Sequence, residues 1–162
     1  MTECAFCESG RTRPHYDVHA GPTWSVAHVH RRWPAGSVFV FANVHTTFVD
    51  APAALWASAA PVFAAVSRAL VTVAGAERVY MLAFSENSEH LHMLFVPKRA
   101  EDAARHARRG VPLLQAYIDD ELTFDEARAS VLTAELRRVL PEYLAVAERE
   151  PDRAGPYDVE PR

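Results

Sequence analysis

Apolar runs, alternating or continuous, divide this chain into strands and helices. Trp24 to His30 (WSVAHVH) reads as a strand. Ser37 to Ala42 (SVFVFA) reads as a second, continuously apolar strand pairing back on it. Arg31 to Gly36 is the turn between them, where Pro34 presets φ and Gly36 permits a positive φ. A long helix is expected next. Asp50 is placed to cap it, Pro52 lies in its first turn, and Leu55, Trp56 and Ala59 share one face. Val62, Val66, Ala69, Leu70 and Val73 continue that stripe to a stop at Gly75. Pro61 is expected to kink or restart the helix, because it has no N–H to give.

Arg78 to Phe84 is another apolar strand, and Ser85 to Glu89 a short polar connection. His90 to Lys98 (HLHMLFVPK) then reads as a buried strand paired with it as a hairpin. Side chains alternate along a strand, so His90, His92 and Leu94 share one face, with Leu91, Met93 and Phe95 on the other. Two imidazoles on one side of an apolar strand need partners for their nitrogens. Either neighbouring backbone satisfies them, or they form a site.

Elsewhere the pattern is weaker. Residues 1–21 are expected to be irregular. Helical character returns after Glu101, breaks at Gly110 and restarts. Thr123-Phe-Asp-Glu126 fits a capping box opening a helix to about Arg138, with Pro141 ending it or starting a last segment. Residues 1–149 are expected to form one domain, and 150–162 an extended, Pro- and Gly-containing tail.

Composition narrows the function classes. The chain of 162 residues is 49% apolar and 23% charged, with net charge −4. That balance argues against a general nucleic-acid or membrane-surface binder. The basic runs Arg31-Arg32, Lys98-Arg99 and Arg105 to Arg109 read as solvated faces or helix ends. No signal peptide is recognised, and the richest apolar stretch, Ala51 to Ala74, is interrupted by Pro61, so no bilayer span is expected. The expected location is cytoplasmic, where thiols stay reduced.

The two cysteines, Cys4 and Cys7, are spaced C-x-x-C. A disulfide is disfavoured in that compartment, and a thioredoxin-like pair needs a preceding strand that three residues cannot supply. Half of a zinc site remains. His45 closes the second strand and His90 opens the last. Cys4, Cys7, His45 and His90 therefore form a sterically reasonable Cys₂His₂ set, against the alternatives of a fortuitous C-x-x-C and a helix-entry histidine. His92 is then left unliganded, and an imidazole held at one nitrogen can attack phosphorus with the other.

With these residues in place the chain resembles the histidine triad (HIT) superfamily of nucleotidyl hydrolases and transferases, from the cysteine pair to Arg99. The family strand, His-φ-His-φ-His-φ-φ-Pro-Arg with φ apolar, stands here as His90-Leu-His92-Met-Leu94-Phe-Val-Pro97-Lys98. The Pro-Gly turn, apolar strand and histidine before the long helix look like Pro34-Ala-Gly36, Val38 to Phe41, and His45. The resemblance implies an α+β fold: an antiparallel sheet of about five strands, a long packed helix and C-terminal helices. It implies structural zinc at Cys4, Cys7, His45 and His90, with His92 as nucleophile. It further implies a nucleotide or other phosphoester ligand and a homodimer. The activity implied is phosphoester or phosphoramidate hydrolysis or nucleotidyl transfer through a phospho-histidine. The departures are Leu94 for the third histidine, Ala42-Asn43 for Pro-Lys, Val29 for the ribose-holding acid, and Ser85-Glu86 for Gly-Gln. Leu94 cannot donate a hydrogen bond to phosphate. Asn87 and Ser88 are candidate phosphate donors and His28 a candidate substrate contact. The other reading is a zinc-stapled ligand-binding module whose catalysis has decayed.

Overall fold

The computed structural model describes residues 4–12, 16–29, 33–102, 109–119 and 124–149. Five strands form one antiparallel sheet: β1 (Asp17–Ala20), β2 (Trp24–His28), β3 (Val38–Ala42), β4 (Arg78–Leu82) and β5 (His92–Lys98). Their order is β1-β2-β3-β5-β4, so β5 sits inside the sheet between β3 and β4. The helices are α1 (Ala5–Thr12), α2 (Ala53–Ala74), α3 (Val111–Ile118) and α4 (Glu126–Arg149). The expected pairing of β2 with β3 is present, Trp24 facing Ala42, and β4 pairs with β5 as expected.

Alternation along the strands separates two apolar layers. Trp24, Val26, Val38, Val40, Met93 and Phe95 point to one face, where α2 and α4 pack over them. Val29, Leu94 and Val96 belong to a second cluster, covered by Leu113, Leu114 and Tyr117 of α3. β5 is therefore buried on both sides, which explains its continuous apolar run.

Several elements depart from the expectations. α1 and β1 occupy part of the stretch expected to be irregular. Each packs against distant residues: Phe6 against Phe39 and Phe41, and β1 against β2 and α4. Tertiary contact, not local pattern, orders them. Asp50 does not cap α2. The N-cap is Pro52, without a side-chain bond, while the Asp50 carboxylate accepts from Thr47 Oγ1 at 2.6 Å. Asp50 lies two residues before the cap, too early to reach the first helical N–H groups.

Pro61 and Pro141 neither stop nor restart their helices, which run unbroken for 22 and 24 residues. Each proline has no N–H to give to the carbonyl four residues earlier. Those carbonyls belong to Ala57 and Arg137, both exposed and within reach of solvent. Unbroken, α2 is long and apolar enough, by length and composition, to cross a membrane. Here its Leu55, Ala59, Ala65, Val66, Ala69 and Leu70 are buried in the core.

The restart at Gly110 is present, with Gly110 capping α3. Gly75 ends α2 at φ +66°, and Ala76 N–H reaches back to the Leu70 carbonyl. Thr123 lies outside the described residues. Asp125 caps α4, its Oδ1 accepting Arg128 N–H at 2.8 Å. The tail 150–162, and with it Arg31, Arg32 and Arg105 to Arg108, also lies outside them. Lys98 and Arg99 are buried rather than solvated, paired with Glu77 at 3.1 Å and with Glu101 at 3.1 Å.

Candidate metal centre and nucleophile

Cys4 stands at the entrance to α1 and its carbonyl accepts Glu8 N–H, closing the first helical turn. Burial raises the Cys4 thiol, but backbone N–H groups of Cys7 and Phe6, then the Cys7 and Ser88 side chains, outweigh it and lower the pKa. Those amides are the free donors of a helix start, which favour a negative sulfur. Cys7 shifts the other way, raised by burial and then by Cys4 and Glu8. Cys4 is thus the more acidic of the two.

β3 ends at Ala42 and the chain passes through Asn43 to His45, bringing the latter over the knuckle. Leu91, just before β5, bonds to Ala42 and Thr46 on either side of it, fixing the approach of His90. Cys4 Sγ lies 3.4 Å from His90 Nδ1, Cys7 Sγ 3.5 Å from the same atom, and Cys7 Sγ 3.4 Å from His45 Nδ1. All four ligand atoms lie within 4.8 Å of one another. Tetrahedral zinc, with bonds near 2.0–2.3 Å, sets sulfur and nitrogen ligands about 3.5 Å apart. The donor set and its spacing fit such an ion, and these four side chains could hold a metal.

The outer contacts agree. His90 Nε2 lies 2.7 Å from the Ala42 carbonyl. A carbonyl only accepts, so Nε2 carries the proton and the Nδ1 lone pair faces the sulfurs. His90 is 1% exposed, and burial, with His45 and His92 nearby, lowers its pKa against the opposing Ala42 bond. The imidazole is held neutral, as a ligand must be.

His92 opens β5 two residues on, on the same face. Its Nδ1 donates to the His90 carbonyl at 2.6 Å. Nε2 carries the free lone pair and has no hydrogen-bond partner among the described residues. Burial lowers the His92 pKa, partly offset by that carbonyl bond, so the ring stays neutral near pH 7. Phe6 stacks on the ring with centroids 4.4 Å apart. Phe39 meets its edge at 5.4 Å. The sequence pattern did not identify Phe6 as a site residue; its place between the two cysteines was the available signal.

The remaining candidates sit differently. Leu94 is buried beneath α3, beside Leu113, Leu114 and Tyr117. Ser88 Oγ accepts His90 N–H at 3.4 Å and its hydroxyl also serves Cys4, so it supports the knuckle. Asn87 is exposed on the connection before β5. Asn43 ties the β1–β2 turn to the end of β3, through Gly21 and Ser25 at 2.7 Å each. His28 is corrected most clearly. It is 3% exposed on the face of Trp24 and Val26, the side opposite His92, and its Nε2 accepts Gly36 N–H at 2.7 Å. Gly36 has φ +96°, and a Cβ there would meet the Ala74 Cβ at 3.1 Å, so this turn takes glycine and His28 anchors it.

No protein-family model matches the chain, and no curated protein matches it. Solved structures do. A Zn-bound histidine triad family protein from Mycobacterium smegmatis is 20% identical over 91% of this chain and 96% of its own, with TM-score 0.59. A hypothetical histidine triad nucleotide-binding protein from Sulfolobus tokodaii is 17% identical over 95% and 98%, with TM-score 0.62. A uridylyltransferase is 20% identical over 84% of this chain and 46% of its own, with TM-score 0.57. These likenesses establish the expected α+β, histidine triad-like fold.

Proposed function

We propose that this chain binds zinc at Cys4, Cys7, His45 and His90 and uses His92 to attack the phosphorus of a nucleotide or related phosphoester. One observation carries the reading: His92 Nδ1 is tied to the His90 carbonyl at 2.6 Å, while Nε2 has no partner among the described residues. Four protein side chains would fill a tetrahedral ion's positions, so Cys4 and Cys7 of the knuckle and His45 and His90 would hold it for the folding energy it supplies rather than as an open catalytic position.

In the reaction, the Nε2 lone pair forms an N–P bond and the leaving oxygen departs with the P–O electron pair. The Nδ1–H bond to the His90 carbonyl stabilises the positive charge that develops on the ring. Water or an acceptor hydroxyl then attacks phosphorus, and the N–P electrons return to His92. Leu94 offers no proton to the leaving group, so solvent or substrate supplies it. Leaving groups that need little protonation are therefore favoured. The relatives' printed descriptions, nucleotide-binding protein and uridylyltransferase, support a nucleotide ligand.

The test is a phosphoramidate or dinucleoside polyphosphate assay on wild type and His92→Ala, with acid-labile phospho-histidine trapped by intact mass. Loss of turnover by about 10³-fold or more is expected. Equal turnover in the two proteins removes the proposal. The burial of Leu94 beneath α3 favours a second reading, a zinc-stapled binding module without turnover. Calorimetry with a nucleotide panel showing affinity without catalysis selects it. A homodimer and a cytoplasmic location accompany either reading, the former checked by sedimentation.

A further inference from the structure

Phe6 lies between Cys4 and Cys7 in the chain, and its ring covers one face of the His92 imidazole, with planes 29° apart. The same ring packs 5.3 Å from Phe39 and 5.3 Å from Phe41. Phe39 in turn meets the His92 ring nearly at right angles. His92 is thus held in its plane by the His90 carbonyl, on its face by Phe6 and at its edge by Phe39. Two of these constraints come from the sheet. The third comes from the knuckle, where Cys4, two residues before Phe6, and Cys7, the residue after it, carry Sγ atoms within 3.5 Å of His45 or His90 nitrogens.

We propose that Phe6 is a positioning residue that fixes the ring plane of His92 and couples it to metal binding at the knuckle. This rests on the reading of the quartet as a metal site and of His92 as the nucleophile. The lone pair of an imidazole lies in the ring plane, so rotation of the ring sweeps Nε2 away from its target. The carbonyl bond restricts that rotation, and an offset-stacked aromatic narrows it further. A ring on the face leaves the in-plane approach to Nε2 open. Without the ion, α1 loses its tie to His45 and His90, and Phe6 leaves with it.

Carbethoxylation of histidines at about pH 7.5, where imidazoles are largely neutral, tests the coupling, read peptide by peptide by mass spectrometry. His28, on the opposite face, reports any general opening. Metal-loaded Phe6→Ala is expected to raise the His92 rate a few-fold to about tenfold, with metal content and the His28 rate unchanged. Phe6→Tyr restores the wild-type rate. Chelation raises the rate in wild type and adds little in Phe6→Ala. An unchanged His92 rate in Phe6→Ala overturns the proposal, as does an equal response to chelation in both proteins. If Phe6→Ala does not fold, Phe6→Leu, which keeps bulk without the ring face, carries the same expectation and the same refutation. A chain that takes up no metal overturns the coupling and the metal reading together. A chain whose His92 responds as expected but turns nothing over overturns the catalytic reading alone.

Discussion

His90 donates its Nε2–H to the Ala42 carbonyl at 2.7 Å, and this bond decides which ring nitrogen faces the two thiols. It also explains why His90 and His92 differ, though both rings lie against Phe6. One presents Nδ1 to Cys4 and Cys7; the other spends Nδ1 on the backbone and keeps Nε2.

The first prediction concerns the metal. Elemental analysis is expected to give about one zinc per chain, and Cys4→Ser or chelation to lower the melting temperature by roughly 10 °C or more. Calorimetry of the loaded and chelated protein checks it. Full metal content with an unmoved transition in Cys4→Ser would contradict the assignment.

Leu94→His supplies the third histidine of the triad pattern in name only. Leu94 is 5% exposed beneath α3, so an imidazole there is buried among Leu113, Leu114 and Tyr117. The variant is expected to lose about 2–4 kcal/mol in urea unfolding, without gain in turnover. A rise in activity would show that α3 does not cover this position in solution.

His28→Ala removes the acceptor for Gly36 N–H and leaves a buried donor unpaired. A loss of about 1–3 kcal/mol is expected, measured by denaturant titration. Nucleotide affinity by calorimetry is expected to stay the same, because His28 lies on the face opposite His92. Weaker binding at equal stability would return His28 to the ligand site.

The fourth prediction concerns acid. Burial lowers the pKa of His19 below its ordinary value, with Glu148 pulling it partly back. The unfolded chain therefore takes up this proton first as pH falls. The stability tied to His19 is whole above the unfolded pKa of about 6.5 and is lost as pH drops from there toward the lower folded value. His19→Gln at equal metal loading should show a shallower fall in melting temperature across that window. An identical slope would exclude His19 as a source of acid sensitivity.

Much of this arrangement was legible in the sequence. The alternation of His90, Leu91, His92 and Met93 placed two imidazoles on one strand face, and β2, β3 and β4 followed from apolar runs bounded by turn residues. His45 and His90 could be gathered from near the ends of two strands and set beside the cysteine pair, because ends of adjacent strands meet. What escaped depends on distant contacts. α1 and β1 form because Phe6 and Asp17 to Ala20 find partners far along the chain. Pro61 and Pro141 looked like breaks, but the carbonyls they cannot serve belong to Ala57 and Arg137, both exposed. The apolar residues of α3 were visible, but their placement over Leu94 was not, since nothing local says which face a short helix will cover.

The cysteine knuckle is joined to its far partner across a long span: Cys4 and His90 are 86 positions apart. During synthesis the thiols leave the ribosome well before the imidazole that completes their quartet. Capture of an ion there would therefore be a late event on the nascent chain, with α1 waiting for β5. Once closed, the loop is long enough that pinning its ends removes much of the freedom of the unfolded chain. A fusion partner joined ahead of Cys4 is best given a long, flexible connection, so that this delayed closure is not hindered.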